Sequence, residues 1–373
     1  MSKAISARGQ RYLIALRQLA LIAPSGRMAV HEAIILLRNL AGFDTATLFW
    51  LDENCETIDV NATYEYELLA WQDFLENFVG KEELVKVCGF SLAEAHKSGS
   101  KLIVASEHRD ESTFLRSEFF NRICTNIDFG WALALNMRTA SGKPLASLVV
   151  ARPFHAPDFN SDEIGIWTQA HPWLEHLLRK DSIPVPDTTD FTSTNHATLL
   201  IDANGKLRLG SAGALAILHQ AANIPFVGES LNRSLRGDIG ELLKDFGNRV
   251  AAALSGKSVQ PPFATINNRW GRFHLRAYAL NDLESGARAQ ISLHIERQVP
   301  LWLRLFSAPR FLALSPRERE TCLHLLSGLS HTAIAQEMNV KSSTVIYFIR
   351  TMYLRLGITR HSDLISALTV VEH

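Results

Sequence analysis

The sequence predicts a multidomain α+β chain, in which two sheet-containing blocks precede an all-α block at the C-terminus. The length of 373 residues is typical of two or three domains. Residues 181–195 are rich in Asp, Thr, Ser and Pro, which indicates an interdomain linker. Strand-like stretches lie on both sides of this linker, and helix-capping signals follow near the C-terminus. We therefore divide the chain into 1–180, 196–298 and 312–373, with 299–311 as a connector.

Composition places the protein among ordinary globular proteins, since 47% of its residues are hydrophobic and 20% are charged. The 38 basic residues equal the 38 acidic ones, so any nucleic-acid surface must be a local patch. The four cysteines lie far apart in the sequence, with no C-x-x-C motif and no zinc-like His spacing. This pattern predicts free thiols in a reducing compartment and no metal site.

The chain begins with an apolar segment, YLIALRQLALIA, that follows several basic residues. Arg17 lies in its middle, which is unfavourable in a secretory signal, and the segment is too short to span a bilayer. We expect an amphipathic helix, no membrane association and a cytoplasmic location.

The first block alternates helical and strand-like stretches. A helical AVHEAIILLRNLAG precedes strand-like DTATLFWLDE, ETIDVNATYE, SKLIVAS, FGWALALNMR and PLASLVVARPF, and SDEIGIWTQAHPWLEHLLRK closes the block. This order, over about residues 25–180, resembles a GAF domain.

The second block opens with LLIDANGKLRLG, which predicts a hairpin with a tight turn at 202–205. RWGRFHLRAYAL and RAQISLHIER read as later strands. The block resembles a PAS domain, although Ser211 stands where that family usually has Asn. GAF and PAS domains share a sheet-with-helices architecture that can hold a small ligand.

Aromatic residues concentrate in the first block, and ligand pockets are mostly apolar with a few polar groups. The candidate ligand-binding residues are Phe49, Tyr64, Tyr66, Trp71, Phe74, Trp131 and Asn136. The alternative is that they form ordinary core. No photoreceptor-type cysteine, phosphate loop, G-x-S-x-G or paired carboxylate motif is present, so we expect a small organic ligand, no cofactor and no enzyme activity.

The third block has the strongest local signals. Ser315-Pro316-Arg317-Glu318 forms a capping box with Pro at the first helical position. Gly328, Asn339 and Gly357 suit the ends of three successive helices. The second helix would begin after Ser330, Ser342 or Ser343 would cap the third, and a fourth would start after Ser362. The second and third helices are only a few residues apart, which predicts a helix-turn-helix.

In the third helix, spacings of three and four residues place one apolar face towards the bundle: Val345, Phe348, Ile349, Met352 and Leu356. Ile346, Tyr347 and Arg350 then lie on the opposite face. Arg350 can pair with guanine, and Ile346 and Tyr347 can pack on a thymine methyl group. The alternative for Ile346 and Tyr347 is contact with another part of the same protein.

Small hydroxyl residues and a local positive charge accompany this helix. Ser342, Ser343 and Thr344 can donate to phosphate at its N-terminus. Residues 341–361 contain no acidic residue and include four cations, Lys341, Arg350, Arg355 and Arg360. They form the basic patch that a neutral chain needs for DNA binding.

The pattern LSPRERE…SGLSHTAIAQEMNVKSSTV…LRLGI, over about residues 314–365, resembles the LuxR-type four-helix DNA-binding domain of bacterial regulators. The resemblance implies that positions 346, 347 and 350 read bases. Position 346 is commonly basic and 348 commonly His in that family, so we expect a different operator here. It also implies double-stranded DNA and RNA polymerase as partners, a location at the nucleoid, and a homodimer formed through the fourth helix, where Leu364, Leu368 and Val371 make an apolar stripe. The alternative is that this stripe packs on its own helical bundle.

These features together predict a DNA-binding transcriptional regulator controlled by a small-molecule effector. Two alternatives remain open. In one, the first blocks are ligand-free dimerisation domains and a partner protein supplies the signal. In the other, the chain is an acyl-homoserine-lactone receptor of the quorum-sensing type, although such receptors usually have one sensor domain.

Overall fold

The computed structural model contains two five-stranded antiparallel sheets with helices, followed by a helical C-terminal region. It describes residues 7–62, 73–74, 76–79, 81–127, 129–181, 190–202, 204–227, 235–257, 260–281 and 288–369.

The first region contains seven described helices and five described strands. In chain order they are α1 (Ala7–Ile22), α2 (Gly26–Ala41), β1 (Thr45–Leu51), β2 (Thr57–Ala62), α3 (Glu82–Cys88), α4 (Leu92–Lys97), β3 (Leu102–Val104), α5 (Glu111–Arg116), α6 (Glu118–Arg122), β4 (Trp131–Arg138), β5 (Pro144–Arg152) and α7 (Ser161–Leu178). The strand order in the sheet is β2-β1-β5-β4-β3.

Side chains that alternate along the strands give this sheet two buried faces. On β1, Leu48 and Trp50 belong to one core with α1, α2 and α7, whereas Phe49 and Leu51 belong to another with Phe114 and its aromatic neighbours. The closing helix α7 begins where the sequence places a cap, because the side chain of Asn160 accepts from the backbone N–H of Glu163.

The second region repeats this strand order. It runs through β6 (Phe191–Ile201), β7 (Leu207–Gly210), α8 (Ala214–Ala222), α9 (Asp238–Leu254), β8 (Phe263–Asn268), β9 (Gly271–Asn281) and β10 (Arg288–Pro300), and its sheet has the order β7-β6-β10-β9-β8. Phe273, Leu275 and Ala277 of β9 face the helices, while Arg276 and Tyr278, which alternate with them, are exposed. At the predicted turn, Asp202 accepts from the backbone N–H groups of Asn204 and Lys206, and residue 203 lies outside the described residues.

The predicted linker is too long at its C-terminal end. β6 starts at Phe191, and residues 191–195 pair with β10, for example Phe191 with Pro300 and Asn195 with Arg297. The polar composition that suggested a loop suits this part of β6, since β7 pairs only with residues 199–201 and leaves that strand edge open. Residues 182–189 lie outside the described part of the chain.

The C-terminal region follows β10 without a break. Its helices are α10 (Leu301–Arg304), α11 (Pro309–Ala313), α12 (Pro316–Leu326), α13 (His331–Glu337), α14 (Ser342–Leu356) and α15 (Leu364–Thr369). A 3₁₀ turn at Leu305–Ser307 joins α10 to α11. We call residues 312–369 the head.

The caps of the head helices are largely as predicted. Ser315 and Glu318 make both hydrogen bonds of the capping box, and Ser330 caps α13. Asn339 has a φ of 51°, and Gly357 ends α14 at 69°. The predicted cap of α14 is wrong, because its N-cap is Lys341 in an extended conformation and Ser342 and Ser343 already lie in the first turn.

The predicted apolar stripe of the fourth helix packs inside the head. Leu364 and Leu368 are fully buried there, and Val371 lies outside the described residues. Their burial contradicts the expectation that this stripe is the dimer contact, since the head core already covers them.

A buried ion pair of the first region contacts the second region, at a place that we call the sheet seam. Arg27 of α2 pairs with Asp59 of β2 at 2.6 Å, and its guanidinium lies between the rings of Trp50 and Trp270. Asp59 also accepts the backbone N–H of Phe226, across the seam, at 3.0 Å. Nearby, Glu32 of α2 pairs with Arg304 of α10 at 3.2 Å. Arg27, Asp59 and Glu32 are buried, so loss of the partner of any one of them would leave an uncompensated charge.

A neutral amide joins the first region to the head, at a contact that we call the head seam. The side chain of Gln18 donates to the carbonyl oxygen of Pro316 at 2.9 Å and accepts from Arg319 Nε at 2.8 Å. Arg319 also donates to the carbonyl oxygens of Leu312 and Leu314. The head is therefore docked on α1 through the turn that begins α12, on a surface separate from the outer face of α14.

Candidate nucleic-acid interface

Helix α14 has one face in the head core. Val345, Ile349, Met352 and Leu356 are buried, and Phe348 is half-buried against them. The spacing of three and four residues predicted this face, and its burial fixes the rotation of the helix about its axis. The side chains on the other side are therefore held in a defined direction.

The outer face of α14 presents apolar and cationic side chains to solvent. Ile346 is 40% exposed and Tyr347 is 62% exposed, although apolar and aromatic residues are usually at least partly covered. Arg350 is exposed one turn after Ile346, so these two side chains are neighbours on the helix surface. Among the described residues, none covers most of Tyr347, and Ile346 keeps two fifths of its surface open to solvent.

The N-terminus of α14 differs from those of the other two helices of the motif. Side chains cap α12 and α13, but no side-chain cap hydrogen bond is present at Lys341. The first N–H groups of a helix have no partner within it, and the helix dipole favours an anion there. Ser342 and Ser343 are exposed beside these groups, and Thr344 is half-buried. This end of α14 can accept a phosphate.

The four predicted cations differ in their surroundings. Lys341, Arg350 and Arg360 are exposed, and no described acidic residue forms an ion pair with them. Arg355 instead places its Nε 3.3 Å from Glu318 of α12. Burial alone would raise the pKa of Glu318, but hydrogen bonds from Ser315 and Thr351 and the charge of Arg355 hold that pKa below its ordinary value. In the absence of DNA, Arg355 therefore stabilises the head.

The predicted ligand-binding residues do not form one described group. Phe49 and Phe74 are buried with ring centroids 6.4 Å apart, in contact with the aromatic core that contains Phe119. Trp131 and Asn136 lie five residues apart on β4. Trp131 donates to the carbonyl oxygen of Ala156, and Asn136 donates to that of Ser100 and accepts from Ser147. The other three predicted residues, Tyr64, Tyr66 and Trp71, lie outside the described residues.

Sequence reasoning missed the contact between Gln18 and Arg319. These residues are 301 positions apart, and neither belongs to a motif that marks a contact. Arg319 lies next to the capping box and would be assigned to the solvent side of α12 by its charge, yet it is completely buried.

Within the described ranges, no helix is both long and apolar enough to cross a membrane. In the same part of the chain, no group of three His, Cys, Asp or Glu side chains is arranged to hold a metal ion.

Comparison with known proteins identifies the head. Residues 312–368 match the family described as bacterial regulatory proteins, luxR family. No curated protein matches the sequence.

Similar solved structures include two of Vibrio cholerae VqmA. One, a VqmA dimer without target DNA described among LuxR-type receptors, is 14% identical, with 46% of this chain and 81% of that chain covered and a TM-score of 0.20. The other, a VqmA–ligand–DNA complex, is 14% identical, with 48% and 86% covered and a TM-score of 0.23. The sensor region of a sensor histidine kinase is 15% identical, with 73% and 89% covered and a TM-score of 0.19. Scores this low establish no shared overall fold. The family match and the geometry of α12 to α15 agree, and residues 312–368 are a helix-turn-helix DNA-binding domain of the luxR family of bacterial regulatory proteins.

Proposed function

We propose that this chain is a bacterial transcriptional regulator in which a GAF-like region (1–180) and a PAS-like region (196–298) sense a small molecule and control the DNA-binding head. The observation that carries the proposal is the outer face of α14. It is exposed, it combines Ile346, Tyr347 and Arg350, and it follows a helix N-terminus that no side chain caps. These are the properties of a helix that lies in the major groove.

In this proposal the outer face of α14 reads the bases. Arg350 donates two hydrogen bonds to guanine, while Ile346 and Tyr347 pack on a thymine methyl group. Lys341, Arg355 and Arg360 neutralise phosphates, and Arg355 leaves Glu318 to do so. Three further residues donate to a phosphate at the start of the helix: Ser342, Ser343 and Thr344.

The shared architecture of the two sheet regions supports a sensor role. Both sheets have five antiparallel strands in the same relative order, and both pack helices on at least one face. A sheet with helices on one face is the arrangement that GAF and PAS domains use to hold a small ligand. An effector would act by binding more tightly to one arrangement of the regions than to the other.

We further propose that the protein acts as a homodimer in the cytoplasm, at the nucleoid, and contacts RNA polymerase there. Two heads would bind half-sites about one helical turn apart. Since Leu364 and Leu368 are buried, a dimer contact on α15 would have to use its other side, where Ser366 and Thr369 lie.

The test starts from selection of DNA from a random library with the full-length protein, followed by affinity measurements on the enriched site. Arg350→Ala should weaken specific binding by about 1–3 kcal/mol and non-specific binding much less. Arg317→Ala is the matched control, because Arg317 is an exposed arginine of the head that pairs with Glu320 on α12. Recovery of no preferred sequence, or unchanged affinity of Arg350→Ala for it, would contradict the proposal.

A native mass spectrum of the protein purified from its own host tests the sensor part separately. A dimer with additional small mass supports a small-molecule sensor. A dimer of bare chain mass that captures a specific protein would support the partner-controlled alternative instead.

A further inference from the structure

Arg109, after β3, is a buried arginine that forms no ion pair with an acidic residue of the described ranges. Arg109 is only 8% exposed, and its Nη1 donates to the carbonyl oxygen of Gly130 at 2.8 Å. Its Nε and Nη2 are buried and have no hydrogen-bond partner in the part of the chain that the structure describes. Buried donors without acceptors are rare in native proteins, so these two atoms require an explanation.

Arg152 is a buried arginine of the same region whose guanidinium has a full set of hydrogen bonds. It is also 8% exposed, but its Nε donates to Gly42, its Nη2 to Ala41 and Glu163, and its Nη1 to Glu163. Every nitrogen of this guanidinium is therefore satisfied, and a carboxylate balances its charge. Burial alone therefore does not explain why Nε and Nη2 of Arg109 lack acceptors.

Aromatic rings surround Arg109. Its guanidinium carbon lies 4.2 Å from the ring centre of Phe114, 5.2 Å from that of Phe154 and 5.4 Å from that of Trp131. Cation–π contacts offset part of the cost of burying the charge. They supply no oxygen for the N–H groups, however, and burial still lowers the pKa of Arg109.

Glu111 and Asp158 are the described carboxylates whose charges act on Arg109, but neither pairs with it. Asp158 accepts from Ser106 and from the backbone N–H of Phe159, and Glu111 is exposed at the start of α5. No described carboxylate lies within ion-pair distance of Arg109. Its two unpaired nitrogens form one edge of the planar guanidinium, and that edge can donate two parallel hydrogen bonds to a single carboxylate.

We propose that Arg109 is the counter-ion of a small organic carboxylate, a monoanion with an apolar body. The carboxylate pairs with Nε and Nη2, and the apolar body lies among Phe114, Phe154 and Trp131. Trp131 contributes its ring, because its indole N–H is already bound to Ala156. This inference rests on the proposed sensor function of the first region and specifies the class of its ligand.

The test measures thermal unfolding of the full-length protein with matched pairs of probes. Benzoate, cinnamate and hexanoate are each compared with the corresponding neutral amide, which has the same shape and no charge. We expect at least one carboxylate to raise the Tm by roughly 2–4 °C at about five times its Kd, and its amide to have little effect. If no carboxylate raises the Tm, or if amides act equally, the assignment is wrong.

Variants identify the site. Arg109→Met removes the charge and keeps a similar length, so it should abolish the carboxylate response and raise the Tm of the ligand-free protein. Arg152→Met is the matched control and should lower the Tm, because it leaves Glu163 without its partner. If Arg109→Met lowers the Tm as much as Arg152→Met does, Arg109 is a structural residue held by its rings and the proposal fails.

Arg109→Lys tests the same carboxylate site if the Met variant does not fold. It keeps the charge but lacks the planar fork, so the carboxylate affinity should fall about tenfold or more. Unchanged affinity would contradict the paired geometry. All measurements are made without DNA, so a negative result leaves DNA binding intact, and loss of DNA binding in the selection experiment leaves this result intact.

Discussion

The sheet seam and the head seam each hold two regions of the chain together, but they use different polar groups. At the sheet seam, Arg27 and Asp59 are buried together between two tryptophan rings. At the head seam, one neutral glutamine amide makes both polar links to the start of α12. Arg27 and Asp59 both belong to the first region, so parting the sheet regions takes the N–H of Phe226 from Asp59 and the ring of Trp270 from Arg27 but leaves the ion pair intact. Parting the head from α1 takes the acceptor of Arg319 Nε away, and Arg319 is itself completely buried. Opening the sheet seam deprives a buried carboxylate and a buried cation of one partner each, whereas opening the head seam affects the single cation Arg319, so we expect the sheet seam to be the stronger polar contact.

The largest expected effect is at the sheet seam. Asp59→Ala leaves Arg27 buried without a partner and removes the acceptor of the Phe226 N–H group, so the free energy of unfolding should fall by about 3–5 kcal/mol. Urea unfolding followed by tryptophan fluorescence measures it, since Trp50 and Trp270 both contact Arg27. Glu53→Ala is the control, because its pair with Lys143 has the same 2.6 Å distance but is exposed, and its loss should cost at most about 1 kcal/mol. If both variants lost the same free energy of unfolding, the buried pair at the sheet seam would contribute no more than an exposed pair does.

Acid should affect the head and the sheet seam in opposite directions. The pKa of Glu318 is lowered in the folded head, so its contribution to stability is present above its unfolded pKa of about 4.3 and is lost as the pH falls through the folded value. Burial raises the pKa of Asp59 and of Glu32, so these groups take up protons on folding and favour the folded state as the pH falls.

Hydrogen exchange resolved by segment should therefore show that α12 and α14 lose protection first on acidification. Glu318→Gln should cost the head about 1 kcal/mol at neutral pH and abolish this loss in acid. Earlier loss of protection in β2 than in α12 would contradict the assignment.

The smallest expected effect is at the head seam. Gln18→Ala should weaken docking of the head by about 0.5–1.5 kcal/mol, with little change in the unfolding of either sheet region. Gln18→Glu places a carboxylate beside Arg319, whose pKa burial lowers to about 10, and should hold the head more tightly. Proteolysis near residues 305–313 should then be faster in the Ala variant and slower in the Glu variant than in the wild type. Identical cleavage of all three proteins would show that the seam does not depend on Gln18.

Local patterns predicted the head better than they predicted anything else. The capping box at Ser315 and the positive φ of Asn339 depend on neighbours within a few residues, so the sequence is sufficient to recognise them. The cap of α14 was mispredicted because Lys341 adopts the extended conformation that suits a cap residue, and three hydroxyl residues in succession gave no way to choose between them. The exposed face of α14 followed from the periodicity of its buried face.

Long-range contacts could not be predicted in this way. Arg109 lies in the polar run EHRDES, which resembles a surface loop, and only the fold brings Phe154 and Trp131 around it. The start of β6 was misplaced for a similar reason, because a pairing with β10 a hundred residues later makes its Thr- and Ser-rich segment a strand. Composition describes the segment itself and not its partner.

The second sheet is joined to the head by consecutive short helices, with no loop between β10 and α10. β10 ends at Pro300, α10 begins at Leu301, and the 3₁₀ turn and α11 follow directly. Phe306 and Phe311 are fully buried, and the centres of their rings are 5.3 Å apart. A head on a loose tether could reach half-sites over a range of separations. Here no described loop separates the second sheet from the head, so under the proposed function we expect a rotation of that sheet to turn α14 with it, and a dimer to tolerate only a narrow range of half-site separations.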